Sequence, residues 1–178
     1  MSGVTKKFYG KYQGTVMQNV DPEMRGRIMC TVPDALGPGV PSSWCEACTP
    51  LAGPTGPPMG VYMVPPIGAG VWVEFERGDP NKPIWSGCRF APSNAPPLAL
   101  AGNPADPNIC IQTLLQNMIM VSDMPPTPVT GGIILKSTTN AMIVVNDSGI
   151  YITNGKGAMI TMIGPAIDFN TGAFTILK

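Results

Sequence analysis

Residues 70–87 hold the pattern that most limits what this chain can fold into: an alternating strand, a turn that no ladder can cross, and an alternating return. Val71, Val73 and Phe75 alternate with Trp72, Glu74 and Glu76, the two-residue period of a strand with one buried and one wetter face. Arg77 closes that strand. Gly78, Asp79, Pro80, Asn81, Lys82 and Pro83 supply turn formers and two residues without an N–H, so the strand cannot run through them. Ile84 opens the return, with Ile84, Ser86, Cys88 and Phe90 on one side and Trp85 and Arg89 on the other. Gly87 shares that second side, and its missing side chain leaves room for another backbone or ring. The expected hairpin is anchored by two tryptophans.

The same turn chemistry recurs throughout. Gly and Pro number 21 each in 178 residues, and long stretches lack a 3.6-residue apolar period, so an all-β chain of short strands is expected. Lys plus Arg equals Asp plus Glu at 11 each, which leaves no summed charge to draw the protein to nucleic acid or an anionic membrane. There is no His to act as a base, and the carboxylates fall at turns and outward strand positions. No enzyme activity and no catalytic residue is therefore expected. No run of about 18 apolar residues is present to span a bilayer, and no basic segment followed by an apolar one opens the chain as a secretory signal would.

Cys30, Cys45, Cys48, Cys88 and Cys110 form an odd set without the density of a disulfide scaffold, and they are expected to be reduced. Cys45 and Cys48 make a lone C-x-x-C pair, and a tetrahedral zinc site needs two further ligands. Cys30 and Cys88 could supply them only if the fold brought them together. Both are expected at inward strand positions, where Cys serves as a small hydrophobe, so neither a metal nor a cofactor is expected.

Taken in order, residues 1–10 read as a loose polar arm and residues 11–20 as a first strand. The turn at residues 21–26 follows, then a second strand with Ile28, Cys30 and Val32 inward and Arg27, Met29 and Thr31 outward, ended by Pro33. A Gly/Pro-rich loop at 34–42, a third strand at 44–49, a loop at 50–60 and a short strand at 61–64 lead into the hairpin. Residues 11–90 thus hold the strand inventory of a small Greek-key barrel such as an OB-fold.

The set Val71, Trp72, Val73, Phe75, Gly78, Asp79, Pro80, Pro83, Trp85 and Gly87 resembles the signature of the OB-fold domain in phage baseplate spike and VgrG proteins of contractile injection systems. Asp21, Pro22, Arg25 to Ile28, Val32 and Pro33 extend the likeness, as do Trp44, Thr49, Pro50, Ala52 and Gly53. The chain departs from the family's pattern at Cys45 to Cys48.

Residues 91–108 are too rich in Pro and Gly for a regular element and read as a linker to a second domain at 109–178. Residues 109–114 and 117–122 suit two strands or one short helix, with strands favoured, and 123–132, with three Pro, reads as a break. From there inward pairs recur: Ile133/Leu135, Ile143/Val145, Ile150/Ile152, Ile160/Met162, Ile167/Phe169 and Phe174/Ile176, separated by turn formers. Residues 91–178 carry only 3 basic and 4 acidic side chains. A rung with two apolar side chains is too little to stand as a monomer, so three chains winding about one axis as a triple-stranded β-helix are expected; the competing reading is a single-chain solenoid or a meander docked on the barrel.

The resemblance implies more than the residues themselves do. It implies a structural central spike, a homotrimer that joins the tail tube or hub at its OB-fold end to a membrane-piercing tip, with no lysozyme domain. It implies a PAAR-repeat tip protein docked at Phe174, Thr175, Ile176, Leu177 and Lys178, and transient contact with a target cell envelope. The expected location is a virion tail baseplate or phage-like injection particle, the protein being made in the host cytoplasm without a signal peptide. No nucleic-acid partner is expected. The alternative function is a single-stranded nucleic-acid-binding OB-fold protein, which would need a basic groove with stacking aromatics.

Overall fold

A computed structural model describes residues 6–53 and 56–176. The chain divides between Asn94 and Ala95 into two compact units.

The first unit contains β1 (Tyr12–Gln18), β2 (Met29–Thr31), the helical turn α1 (Pro33–Leu36), β3 (Glu46–Ala47), β4 (Gly70–Phe75) and β5 (Pro83–Arg89). The sheet order is β2-β1-β4-β5-β3, with β3 parallel to β5 and the other pairs antiparallel. The two edges meet. The Cys45 N–H donates to the Ile28 carbonyl at 2.7 Å and the Ile28 N–H returns to the Cys45 carbonyl at 3.3 Å, which curls the sheet into the closed barrel of an OB-fold. Val16, Ile28, Cys30, Val32, Cys45, Val71, Val73, Phe75 and Trp85 fill it. The alternation expected of the second strand and of the hairpin's first strand is therefore the one that packs the core.

The return strand behaves differently. The β4–β5 register shifts after Trp72, so that Trp72 faces Gly87 while Val73 faces Trp85, a bulge that leaves Ser86 unpaired. Gly87 sits at φ 149°, and a Cβ there would meet nothing within 4 Å. Its glycine serves the backbone of the bulge, not the close approach expected from the sequence. Trp85 turns into the barrel, and its indole N–H donates to the Gly26 carbonyl at 3.1 Å. Cys88 is exposed at the strand's far end, not inward.

Other expectations are corrected by local chemistry. Phe8, assigned to a loose arm, packs on Phe75 and Tyr12 at ring-centroid distances of 5.8 and 6.0 Å, and its N–H donates to the Gly78 carbonyl. The loop after Pro33 opens with α1, for which Pro33 presets the first φ angle. The third strand keeps only Glu46 and Ala47, and the strand expected at 61–64 is absent; its first residue instead pairs locally, Val61 N–H to the Leu51 carbonyl.

Asp21, read only as a turn former, is 7% exposed. Its carboxylate accepts the N–H groups of Glu23, Arg25 and Arg27 at 3.0, 2.8 and 3.2 Å, and the Arg27 guanidinium at 2.7 Å. Arg27, expected to point outward, is thus drawn in, and its guanidinium lies 5.6 Å from the Trp44 ring centroid.

The second unit is an antiparallel meander in chain order: β6 (Ile109–Gln112), β7 (Met118–Thr127), β8 (Thr130–Lys136), β9 (Met142–Asn146), β10 (Gly149–Thr153), β11 (Met159–Ile163), β12 (Ala166–Phe169) and β13 (Phe174–Ile176). Residues 109–112 and 118–127 are strands, which resolves the helix alternative. The break expected at 123–132 is not one. Pro125 and Pro126 fall inside a register shift between Ser122 and Thr127, where the ladder asks for no N–H, and the chain turns only at Pro128 and Val129. The Asn146 amide pins that hairpin, donating to the carbonyls of Thr127 and Thr130 at 2.8 and 3.0 Å.

The Arg27 guanidinium, followed by the N–H donors of the turn, holds the Asp21 carboxyl well below its ordinary value of 3.8. Below that pH the unfolded chain takes up a proton that the folded chain refuses, so the stabilisation present above it is lost as pH falls. Denaturant titrations of the wild type are expected to show stability declining below about pH 4, with a shallower decline in Asp21→Asn. Identical acid profiles would show that the turn contributes nothing to the barrel.

Candidate functional site

The pleat of the second unit sorts its side chains into two faces, and the register makes one of them continuous. Ile109, Val121, Ile133, Val145, Ile150, Met162, Ile167 and Ile176 are successive cross-strand partners. Ile111, Ile119, Leu135, Ile143, Ile152, Ile160, Phe169 and Phe174 form a second file beside them. Every strand contributes one residue to each file, and no polar residue interrupts either.

All six pairs expected to face inward lie in these files. The strands at 109–112 and 118–127 were favoured from the sequence, but their inward pairs were not picked out. Ile109/Ile111 and Ile119/Val121 extend the same pattern, and the signal was present in the alternation Ile-Cys-Ile and Ile-Met-Val.

Within one chain this face is open. Ile133 is 52% exposed and Phe174 60%, and Leu135, Ile143, Val145, Ile152, Met162 and Ile176 are exposed as well. The opposite face carries the unit's own core of Met118, Met120, Ile134, Val144 and Tyr151. Tyr151, which the inward register would have left on the solvent side, is buried, with its hydroxyl 2.9 Å from the Ser148 Oγ. Along the row of Met120, Ile134, Val144 and Tyr151 the opposite face turns polar at Thr161, which pairs with Asp168.

At the far end, Phe174 and Ile176 are exposed in β13, and the Phe174 ring lies 5.7 Å from that of Phe169. Thr175 belongs to the same strand. Leu177 and Lys178, the other residues expected at the tip, lie outside the described residues.

The barrel signature is structural where it can be seen. Val71, Val73, Phe75, Gly78, Pro83 and Trp85 are buried, Trp72, Asp79 and Pro80 are half-buried, and Gly87 makes the bulge. With Trp85 committed to the core and bonded to Gly26, its ring has no free face on which a base could stack. Cys45 is buried while Cys48 is exposed, so the C-x-x-C pair does not converge, and among the described residues no group of three His, Cys, Asp or Glu could hold a metal ion.

Residues 12–90 match the family model described as the type VI secretion system/phage-baseplate injector OB domain. Residues 108–175 match the model of the phage baseplate V C-terminal trimerisation domain. No curated protein matches the chain closely enough to count as a relative. Both families are structural, and neither is catalytic. The trimerisation match coincides with the meander that carries the two open apolar files. With an injector OB domain followed by a baseplate trimerisation domain, the chain belongs to the phage baseplate V family and is a spike component of a phage tail or type VI secretion system.

Proposed function

We propose that three copies of this chain form the central spike of a contractile injection particle, with the apolar files of three meanders buried about a common axis as a triple-stranded β-helix. The observation that carries this reading is the pair of unbroken files on a face that one chain cannot cover. Edge strands and aliphatic faces of this length are what soluble proteins hide. A trimer hides both.

The division of labour follows from the chemistry of the two units. The barrel, with charged side chains on its surface and a closed core, suits the collar that joins the spike to the tube hub. The meander suits a stiff needle, because its ladder hydrogen bonds run across the needle and its apolar files fill the axis. The force of sheath contraction would pass from hub to barrel to needle, and the needle would cross the target envelope transiently. The exposed Phe174 and Ile176 leave an adhesive end on which a PAAR-repeat tip protein would dock by edge pairing and apolar contact.

Sedimentation at micromolar concentration is expected to give the mass of three chains, and a stable folded monomer would overturn the trimer. Ile152→Asp would bring three carboxylates together at the axis, each costing several kcal/mol to bury, and should prevent assembly. Thr161→Lys, on the other face and opposite Asp168, should assemble normally. Equal damage from both substitutions would show that the files are not the interface.

Removing residues 174–178 should abolish co-purification of the tip protein while leaving a trimer of unchanged barrel stability. A truncated trimer that still retains the tip protein would place that contact elsewhere.

A further inference from the structure

The barrel closes through short pairings instead of a long ladder. Its β2 and β3 edges are joined by the exchanged Ile28 and Cys45 bonds and by a bridge between Thr31 and Pro41, and β3 itself has two residues. Ser42 completes the seam: its N–H donates to the Cys30 carbonyl at 2.8 Å, and its Oγ accepts the Cys30 N–H at 3.0 Å. Two thiols face each other across this seam. The Sγ atoms of Cys30 and Cys45 are 3.5 Å apart, both residues are fully buried, and the Ser42 Oγ lies 3.3 Å from the Cys45 sulfur and 3.7 Å from the Cys30 sulfur.

We propose that Cys30 and Cys45 are a disulfide-forming site, which staples the barrel seam when the protein meets a small-molecule disulfide. The sulfurs are in van der Waals contact with nothing between them, and they need to approach by about 1.5 Å to reach bonding distance. One side of that approach, residues 41–47, is held by isolated bridges, the Ser42 bonds and a two-residue strand, not by a long ladder. Opening of this edge also supplies access, since neither thiol touches solvent in the closed barrel.

The two thiols differ in acidity. Hydrogen bonds from the Cys45 thiol and the Ser42 hydroxyl favour the thiolate of Cys30, which is lowered from its ordinary value, whereas the Cys30 thiolate and burial raise Cys45. The Cys30 thiolate attacks one sulfur of the small-molecule disulfide, forming a mixed disulfide and expelling one thiolate. Cys45 loses its proton and attacks the Cys30 sulfur, expelling the second thiolate. The protein loses two protons and two electrons, and one external disulfide becomes two thiols. Cys48 and Cys88 are exposed and Cys110 lies in the other unit, so no other pair is set up for this reaction.

The test uses the folded wild-type chain, oxidised glutathione as the probe, and alkylation after denaturation. Cleavage at Asp34 and Glu46 places Cys30, Cys45 and Cys48 on separate fragments, so a link between the first two is read directly by mass. The expected result is a fragment pair joined through Cys30 and Cys45, together with a higher denaturant midpoint than the reduced protein, a gain that disappears in Cys30→Ala. Recovery of Cys30 and Cys45 alkylated, or joined to glutathione or Cys48, would overturn the proposal. So would a linked pair whose midpoint equals that of the reduced protein.

Discussion

Two files of aliphatic and aromatic side chains must leave water, and most of the second unit follows from that demand. Each file takes one residue from every strand, so the spacing of apolar pairs, the short rungs and the turn at each rung's end are fixed together. A side chain of this kind that goes from half-exposed to buried contributes about 1 kcal/mol. With sixteen such positions on each chain, the sum matches or exceeds the roughly 4–15 kcal/mol that association costs in lost freedom. The near-absence of charge belongs to the same logic, because a carboxylate in either file would cost more than its apolar neighbours return.

The first unit solves the opposite problem. Its sheet closes on itself, so its core needs no second chain, and its stability depends on the devices that hold the closure. Trp85 and Asp21 act on the same short turn from two sides: the indole binds the Gly26 carbonyl, and the carboxylate gathers three N–H groups and Arg27. Arg27 is then held against Trp44, just before the seam at Cys45. A buried ion pair is weak grounds for stability in general, but one that also satisfies three backbone donors fixes a conformation.

How much of this was legible in the sequence differs by level. Alternation located β2 and β4 and the six inward pairs, because a period of two survives any tertiary arrangement. It failed where the backbone departs from a regular ladder. The bulge at Ser86 returned Cys88 to solvent and gave Gly87 a conformational role instead of a spatial one, and the irregular stretch between Ser122 and Thr127 absorbed two prolines that had read as a break. The Asp21–Arg27 pair was invisible for another reason. Its partners are local in sequence, but the folded barrel is what brings Trp44 against Arg27 and Trp85 to the Gly26 carbonyl, and the nearness of Cys30 to Cys45 likewise requires the barrel to close.

The same limit explains Tyr151. A strand in a single sheet was expected to keep one face for the interface and leave the other to water. In this unit the middle row of the second face is also apolar from β7 to β10, where Met120, Ile134, Val144 and Tyr151 stand in register, and it becomes polar at Thr161 and Asp168. Strands apolar on both faces are those buried on both sides, so the near part of the meander is packed by its own chain as well as by any partner, whereas the far strands depend on the files alone. Cohesion is therefore graded along the sheet. Strands β7 to β10 have a core of their own, whereas β11 to β13 gain most of their burial from neighbours.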